Sequence, residues 1–288
     1  MTSPSSASSR PQEPRLLRYH EVPQVLWGDT TSGQVCDWFY TTSDKIHFIM
    51  FSLRPGACWR KSDKVKPIWD PDVAFYVLQG CLVLHNPETG EVCVGHEGDT
   101  LHFREKTWHF GNNPTNREAL MLEAAAPIPA DLSNAALEKM WESVPPLKEV
   151  RNGRYELLGN WPWNAEQARQ PQTIKRIRPS DCLLILQGDQ PPLCVSLYVA
   201  TDKLTFGKFT LLPGVVSPVE RHAGDEVAVV TEGRAHMFLP DTGGWSEMQA
   251  RDGFFVPRGM PHQYYNMSDQ PATLVFGVAP KYLEQEPS

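Results

Sequence analysis

Two glutamates and two histidines in the C-terminal half of the chain are of the residue types that bind divalent metal ions. Glu220, His222 and Glu226 lie within seven residues, and His262 follows 36 positions after Glu226. On an extended strand, the i, i+2 spacing of Glu220 and His222 places both side chains on one face. Two imidazoles and one or two carboxylates that converge inside a β-barrel would suit a divalent first-row transition metal.

Turn signals around these residues divide the sequence into the short strands that must position them. The Ala223-Gly224-Asp225 stretch allows Glu226 to begin a returning strand, and Pro257-Arg258-Gly259 forms a turn before His262. Runs of apolar, aromatic and β-branched residues predict the strands themselves. These predicted strands are Lys208–Leu212, Val227–Val230, Ala235–Leu239 and Gly253–Val256.

The chain contains an internal repeat. Residues 42–56, TSDKIHFIMFSLRPG, match residues 200–214, ATDKLTFGKFTLLPG, at a spacing of 158 residues. Further along, His109 matches His262 at a spacing of 153 residues, so the first copy carries five extra residues between the two matched blocks. A match of this kind over about a hundred residues predicts two related β domains in one polypeptide.

The sequence around the four polar residues resembles the two motifs of the cupin superfamily, G-x5-H-x-H-x3-4-E-x6-G and G-x5-P-x-G-x2-H-x3-N. From Gly214 to Gly233 the chain reads G-x5-E-x-H-x3-E-x6-G, and from Pro257 to Asn266 it fits P-x-G-x2-H-x3-N. The resemblance extends over both halves of the chain and therefore implies a bicupin. The fold it implies is all-β: two tandem cupin barrels, of the double-stranded β-helix or jelly-roll type, with a short connecting helix.

Carried over residue by residue, the resemblance implies one divalent metal ion bound by His222, Glu226 and His262. Glu220, which stands where the family pattern has its first histidine, is either a fourth ligand or a catalytic base. A bound Glu220 would give a metal(II) site with two carboxylates and no net charge, whereas an unbound Glu220 would lie beside a two-histidine, one-carboxylate facial triad. Arg251 replaces the glycine that opens the second motif, which affects a turn and not the ligands.

The first copy of the repeat has lost most of these ligand types. The positions aligned with Glu220, His222 and Glu226 fall on Ser62, Lys64 and Val73, and His109 is the surviving match. We therefore expect the N-terminal domain to be metal-free and structural, with His109 hydrogen-bonded inside its barrel. A remnant pair of Asp72 and His109 is the alternative.

The composition excludes several classes of protein. The chain of 288 residues is 41% hydrophobic and 21% charged, which is typical of a folded protein, and its net charge of −7 disfavours nucleic-acid binding. It contains no apolar run of the roughly 18 residues that a membrane span needs, and its first 15 residues lack the apolar stretch of a signal peptide. The six cysteines form no CxxC pair, so we interpret them as reduced core residues of a cytoplasmic protein.

These observations predict four segments along the chain. A disordered tail at residues 1–14 is followed by an N-terminal cupin domain at 15–127. A linker at 128–172 contains a helix at Ala130–Val144, where apolar residues recur at helical spacing, and the C-terminal cupin domain with the metal site spans 173–281. The expected partner is a small-molecule substrate, with no nucleic acid or membrane, and a homodimer through sheet edges is left open.

Three function classes fit this sequence. The favoured one is a non-haem Fe(II) dioxygenase that acts on a small enol, phenol or diketone. The second is a lyase, isomerase or hydrolase in which Mn, Zn, Ni or Fe(II) acts as a Lewis acid and Glu220 shuttles a proton. The third is a non-catalytic small-molecule binder. The same four residues serve the first two chemistries, so the sequence does not separate them.

Overall fold

The computed structural model describes residues 13–60, 68–69, 71–87, 89–127, 173–188, 191–280 and 282. These residues form 23 β-strands and one short 3-10 helix, Pro179–Asp181, which confirms the all-β prediction. The predicted connecting helix at Ala130–Val144 lies outside the described residues. Within the described part of the chain, no helix has the length and apolar character needed to cross a membrane.

The strands follow the internal repeat. The first-half strand that spans residues 47–53 has its counterpart 158 positions later, and the one that spans 119–126 has its counterpart 153 positions later. In chain order the strands are β1 (Arg15–Leu17), β2 (Gln24–Asp29), β3 (Gly33–Thr42), β4 (His47–Leu53), β5 (Cys58–Trp59), β6 (Ile68–Trp69), β7 (Asp72–Gln79), β8 (Cys81–Asn86), β9 (Glu91–His96), β10 (Thr100–Phe103), β11 (Thr107–Trp108), β12 (Phe110–Asn112), β13 (Ala119–Ala126), β14 (Ile174–Ile177), β15 (Leu183–Gln187), β16 (Leu193–Ala200), β17 (Thr205–Leu211), β18 (Asp225–Glu232), β19 (Arg234–Leu239), β20 (Gly244–Gln249), β21 (Gly253–Val256), β22 (Gln263–Tyr265) and β23 (Ala272–Ala279).

Each half builds a two-sheet barrel. The N-terminal barrel combines the seven-stranded sheet β14-β10-β7-β13-β4-β3-β2 with the smaller sheet β5-β12-β8-β9, and β6 pairs with β11. The C-terminal barrel combines β1-β21-β18-β23-β17-β16-β15 with β20-β19-β22. The paired strands are antiparallel and the strand order crosses between sequence neighbours, which is the jelly-roll arrangement.

The two barrels exchange their first strands. β1 precedes the N-terminal half but pairs with β21 of the C-terminal barrel, and β14 precedes the C-terminal half but pairs with β10 of the N-terminal barrel. An ion pair anchors each exchanged segment: Arg18 binds Asp252 at 2.7 Å, and Arg176 binds Asp99 at 2.7 Å. The large sheet of the C-terminal barrel therefore ends with β1, which lies beside the N-terminal half in sequence. The large sheet of the N-terminal barrel ends with β14, which lies beside the C-terminal half in sequence.

In the part of the chain that the structure describes, three clusters of buried apolar residues form the core. One lies inside each barrel, and the third lies between the barrels, where Phe48 stacks on Phe206 at a ring separation of 6.3 Å. All six cysteines are free thiols. Cys81 is buried, Cys194 is exposed and the other four are intermediate, so the prediction that the cysteines are core residues is wrong for most of them.

Candidate metal centre

Three separate stretches of the C-terminal barrel bring the four predicted residues together. Glu220 and His262 lie opposite each other in an isolated antiparallel bridge, with backbone hydrogen bonds of 2.9 and 3.1 Å in the two directions. The carbonyl of His222 accepts a hydrogen bond from the backbone amide of Gly259 at 2.8 Å. Glu226 is the second residue of β18, between β21 and β23, so its side chain is held by a central strand.

The side chains converge on one point inside the barrel. Glu220, His222, Glu226 and His262 each offer one ligand atom, and these four atoms lie within 4.8 Å of one another. The Oε2 atom of Glu226 is 3.0 Å from Nε2 of His222 and 3.1 Å from Nε2 of His262. The Oε2 atom of Glu220 is farther out, at 3.5 and 3.9 Å from the same two nitrogens.

The outward-facing nitrogen of each histidine is fixed by a backbone carbonyl. Nδ1 of His222 donates to the carbonyl of Tyr282 at 3.2 Å, and Nδ1 of His262 donates to the carbonyl of Met260 at 3.1 Å. This hydrogen-bond pattern keeps a proton on Nδ1, so that in the neutral imidazole the lone pair lies on Nε2 and faces the centre. A carbonyl partner on the outer nitrogen is typical of metal-binding histidines.

The outward-facing oxygen of each glutamate is fixed by a tyrosine. The hydroxyl of Tyr264 donates to Oε1 of Glu226 at 2.6 Å, and the hydroxyl of Tyr282 donates to Oε1 of Glu220 at 2.9 Å. Each carboxylate therefore has one oxygen held by a phenol and the other directed at the two imidazoles. In turn, the side-chain amide of Gln187 donates to the Tyr282 hydroxyl at 2.6 Å.

These supporting residues were not identified in the sequence. Tyr264 lies two positions after His262, and on a strand an i, i+2 residue faces the same side, so that spacing is a signal for it. Tyr282 lies beyond the last strand, and its ring stacks on His222 at 4.4 Å. No local pattern connects Tyr282 or Gln187 to the site, because only the folded chain brings them to it.

The inner atoms of the site fit a divalent cation. Nε2 of His222, Nε2 of His262 and Oε2 of Glu226 are fully buried and have no hydrogen-bond partner of acceptable geometry. Leaving such atoms unsatisfied costs about 1–3 kcal/mol each, and more for charged groups. Because all three face the same point, one metal ion would satisfy them together, and two carboxylates would neutralise its charge.

The charges of the site are strongly coupled. Burial disfavours the imidazolium form, but the adjacent carboxylates of Glu220 and Glu226 outweigh burial and raise the pKa of His222 to about 10. The pKa of His262 is also raised, because the charge of Glu226 outweighs the effect of burial. Burial would raise the pKa of Glu226, yet the two imidazolium charges hold it far below its usual range. Positive charge is therefore strongly favoured at this point, and a divalent cation bound there would supply it in place of the two imidazolium protons.

The described residues of the N-terminal barrel do not repeat this arrangement. Val73 occupies the position of Glu226 and is fully buried. Nδ1 of His109 donates to the carbonyl of Thr107 at 3.0 Å, inside its own barrel, as expected. Asp72 instead binds Arg104 at 3.0 Å and accepts a hydrogen bond from Thr201, so the alternative of an Asp72–His109 remnant is wrong. The aligned positions 62 and 64 lie outside the described residues.

Comparison with known proteins agrees with this architecture. Residues 207–278 match the family model described as a cupin domain. No curated protein shows significant sequence similarity to the chain. The matched residues lie in the C-terminal barrel that holds the buried cluster of histidines and carboxylates, so this barrel is a cupin domain.

Solved structures share the fold over nearly the whole chain. The putative glyoxylate-induced protein from Pseudomonas aeruginosa has a TM-score of 0.64 at 13% identity and covers 100% of this chain and 96% of its own. AerE from Microcystis aeruginosa has a TM-score of 0.58 at 11% identity, covering 90% and 98%. A mutant of oxalate decarboxylase from Bacillus subtilis has a TM-score of 0.60 at 15% identity, covering 93% and 78%. At such low identities these similarities show the fold alone.

Proposed function

We propose that the chain is a metal-dependent enzyme with its active site in the C-terminal barrel, and that it acts as a non-haem Fe(II) dioxygenase on a small enol, phenol or diketone. The observation that carries the proposal is the difference between the two glutamates. Glu226 is equidistant from both imidazoles, at 3.0 and 3.1 Å, whereas Glu220 lies at 3.5 and 3.9 Å. Two histidines and one carboxylate in a tight group are the ligand set typical of non-haem Fe(II) oxygenases.

The position of Glu220 supports a role as a base. Its side chain is 9% exposed, compared with 5% for His222, 2% for Glu226 and 1% for His262, so it is the member of the group nearest to solvent. A carboxylate at this position can accept the proton of an acidic substrate hydroxyl. The Tyr282 hydroxyl holds Oε1 of Glu220 and leaves Oε2 for that proton.

The remaining groups of the chain hold this arrangement rigid. Carbonyl partners orient both imidazoles, and the Tyr264 hydroxyl orients Glu226, so these three side chains keep their inner atoms directed at one point. A bound Fe(II) would supply the redox chemistry and the coordination positions for a chelating substrate. The protein contributes the orientation of the ligands, the dry surroundings and the proton acceptor.

A second candidate is a non-redox lyase, isomerase or hydrolase. It is favoured by the position of Glu220, because a proton acceptor beside a Lewis-acid metal also suits proton transfer without oxygen. The similarity to oxalate decarboxylase is consistent with this candidate but extends only to the fold. A non-catalytic binder is the remaining alternative.

Turnover without oxygen separates these functions. The purified protein is reconstituted with Fe(II), Mn(II) or Zn(II) and assayed against enols, catechols and diketones in air and under argon. We expect substrate-dependent oxygen consumption with Fe(II) and no turnover under argon. Turnover that persists under argon with Mn(II) or Zn(II) would reject the dioxygenase and support the second candidate. Metal binding without turnover of any substrate class would support the binder.

A further inference from the structure

The interior of the N-terminal barrel contains two carboxyl groups. On β3, Asp37 lies on the same side of the sheet as the core residue Val35, and on β13, Glu123 lies on the same side as the core residue Met121. Alternate residues of a strand face the same side, so both carboxyl groups point into the barrel. Each residue keeps only 6% of its surface accessible.

The fold does not require acidic residues at these positions. By the spacing of the repeat, Asp37 corresponds to Val195 and Glu123 corresponds to Phe276. Both counterparts are fully buried members of the core of the C-terminal barrel. The same barrel therefore closes around apolar side chains, and the two carboxyl groups are a feature of the N-terminal interior alone.

Neither carboxyl group has a partner among the described residues. Burial alone raises the pKa of Asp37 to about 8, and burial together with the charge of Asp37 raises the pKa of Glu123 to about 8. The two imidazoles that face this interior, those of His47 and His109, provide no positive charge, because burial lowers their pKa to about 3 and about 4. Buried polar groups are normally hydrogen-bonded, so the two carboxyl groups, which lack a hydrogen-bond partner among the described residues, need an explanation.

Aromatic rings border both carboxyl groups. Asp37 pairs across the sheet with Phe51, and Glu123 pairs with Phe75. These two rings pack edge to face at 5.3 Å, and Trp59 adds a third ring at 5.7 Å from Phe51. Aromatic faces attract cations, and carboxylates beside them add opposite charge and hydrogen-bond acceptors.

A directly coordinated metal ion does not fit this position. Among the described residues, the cluster of His, Cys, Asp or Glu ligand atoms that could hold an ion is the one in the C-terminal barrel. Around Asp37 and Glu123 the walls are hydrocarbon and aromatic instead. Among the described residues, no third ligand atom lies close enough to both acids to share an ion with them, so the acids and aromatic rings suit an organic cation better than an inorganic one.

We propose that the interior of the N-terminal barrel is a second ligand site, in which Asp37 and Glu123 bind a small organic ammonium ion against the rings of Phe51 and Phe75. The ammonium group supplies the positive charge and the hydrogen-bond donors that the two carboxyl groups lack. The alkyl part of the ligand contacts the aromatic walls. This site is independent of the metal centre and of the function proposed for it.

Calorimetric titration of the full-length, metal-loaded protein with butylammonium chloride tests the proposal, with 1-butanol as the neutral probe of equal chain length. We expect saturable binding of butylammonium and at least about tenfold weaker binding of 1-butanol, since hydrogen bonds to charged groups contribute at least that much. At neutral pH the binding should release a proton, seen as a heat that depends on the ionisation enthalpy of the buffer, because carboxyl groups with a pKa near 8 are protonated in the free protein.

Isosteric variants locate the site. Asp37→Asn and Glu123→Gln should each weaken butylammonium binding by about tenfold or more without changing the metal content. Glu118→Gln, an exposed carboxylate of the same barrel, is the matched control and should bind as the wild type does. Absence of saturable binding, equal binding of 1-butanol, or binding that survives in the double variant would overturn the proposal. If a variant does not fold, the relative binding of butylammonium and 1-butanol to the wild-type protein still tests the proposal.

Discussion

The two barrels share the same backbone frame, meaning the strands and turns that orient the histidine, and they differ in the side chains of the barrel interior. In both, an asparagine fixes the turn after the last strand of the small sheet: Asn113 donates to the carbonyl of Leu53 at 3.1 Å, and its counterpart Asn266 donates to the carbonyl of Leu211 at 2.9 Å. The histidines His109 and His262 are oriented in the same way, each by the carbonyl two residues before it. The frame therefore positions a histidine in either barrel, whether or not it faces a metal centre.

The difference lies in the neighbours of that histidine. His262 faces the imidazole of His222 and the carboxylate of Glu226, whereas the ring of His109 lies 4.2 Å from Phe103 and 6.2 Å from Phe75. A metal site in this fold is thus decided by a few inward side chains and not by the frame. In the described part of the N-terminal barrel, Val73 stands in place of Glu226, aromatic rings surround His109, and two carboxyl groups lie elsewhere in the interior.

Removing the equivalent histidine from each barrel is expected to give the largest difference between the barrels. His262→Ala should weaken metal binding by more than about 100-fold and abolish turnover. Loss of a residue that only supports a ligand already weakens metal affinity by up to about 100-fold, and loss of a ligand itself should cost more. His109→Ala, the equivalent change in the other barrel, should leave the metal content unchanged. Elemental analysis of both variants measures this. A second equivalent of metal that disappears with His109 would contradict the difference between the barrels.

Glu220→Gln tests the division of roles within the site. We expect most of the metal to be retained while turnover falls by about 10²–10⁴-fold, the usual contribution of a general base. The measurements are metal content and the steady-state rate on one preparation. If the variant loses metal together with activity, Glu220 is a metal ligand like Glu226 and not a base.

The carboxyl groups of the N-terminal barrel predict a pH effect on stability. The folded-state pKa of Asp37 and Glu123, about 8 each, lies above the ordinary values of 3.8 and 4.5. Their contribution to the free energy of unfolding is therefore fully present below about pH 4 and is lost as the pH rises through 8, by about 1.4 kcal/mol for each unit that a pKa is raised. Urea unfolding near pH 5 and pH 9 should show this loss in the unliganded wild type. The Asp37→Asn, Glu123→Gln double variant should lack it, and an equal loss in both proteins would contradict the assignment.

Removing a supporting phenol should have a smaller effect. Tyr264→Phe deletes the hydroxyl that holds Glu226 and should weaken metal affinity by about 10-fold, at the lower end of the range for such partners. Tyr265→Phe, in the adjacent residue, is the control, because its hydroxyl binds Gln263 and not a site residue. Competition with a chelator of known affinity measures both. Equal affinities would show that the Tyr264 hydroxyl does not support the site.

Much of this organisation could be predicted from the sequence, because the repeat spans both barrels and because the glutamates and histidines are of ligating types at family spacings. The predicted strands Gly253–Val256 and Ala235–Leu239 agree with β21 and β19 to within one residue. The strand exchange could not be predicted, since Arg15–Leu17 pairs with residues more than 230 positions away.

Residues without a periodic or motif signal were missed for a physical reason. Tyr282 lies outside every strand and reaches the site through tertiary contacts alone. Asp37 stands in a strand whose alternate residues are polar and apolar in no regular order, so a charged residue there indicates solvent exposure until the fold is known. Burial of a carboxyl group without a partner is a property of the assembled barrel and cannot be inferred from one strand.

The most direct test of the account is the metal stoichiometry of the wild-type protein. The chain is reconstituted anaerobically with Fe(II), freed of excess metal and analysed for iron and protein. The account predicts about one equivalent per chain, because one set of converging ligand atoms is present among the described residues. Less than about a tenth of an equivalent, with Fe(II) and equally with Mn(II) or Zn(II), would contradict the claim that the C-terminal barrel is a metal centre.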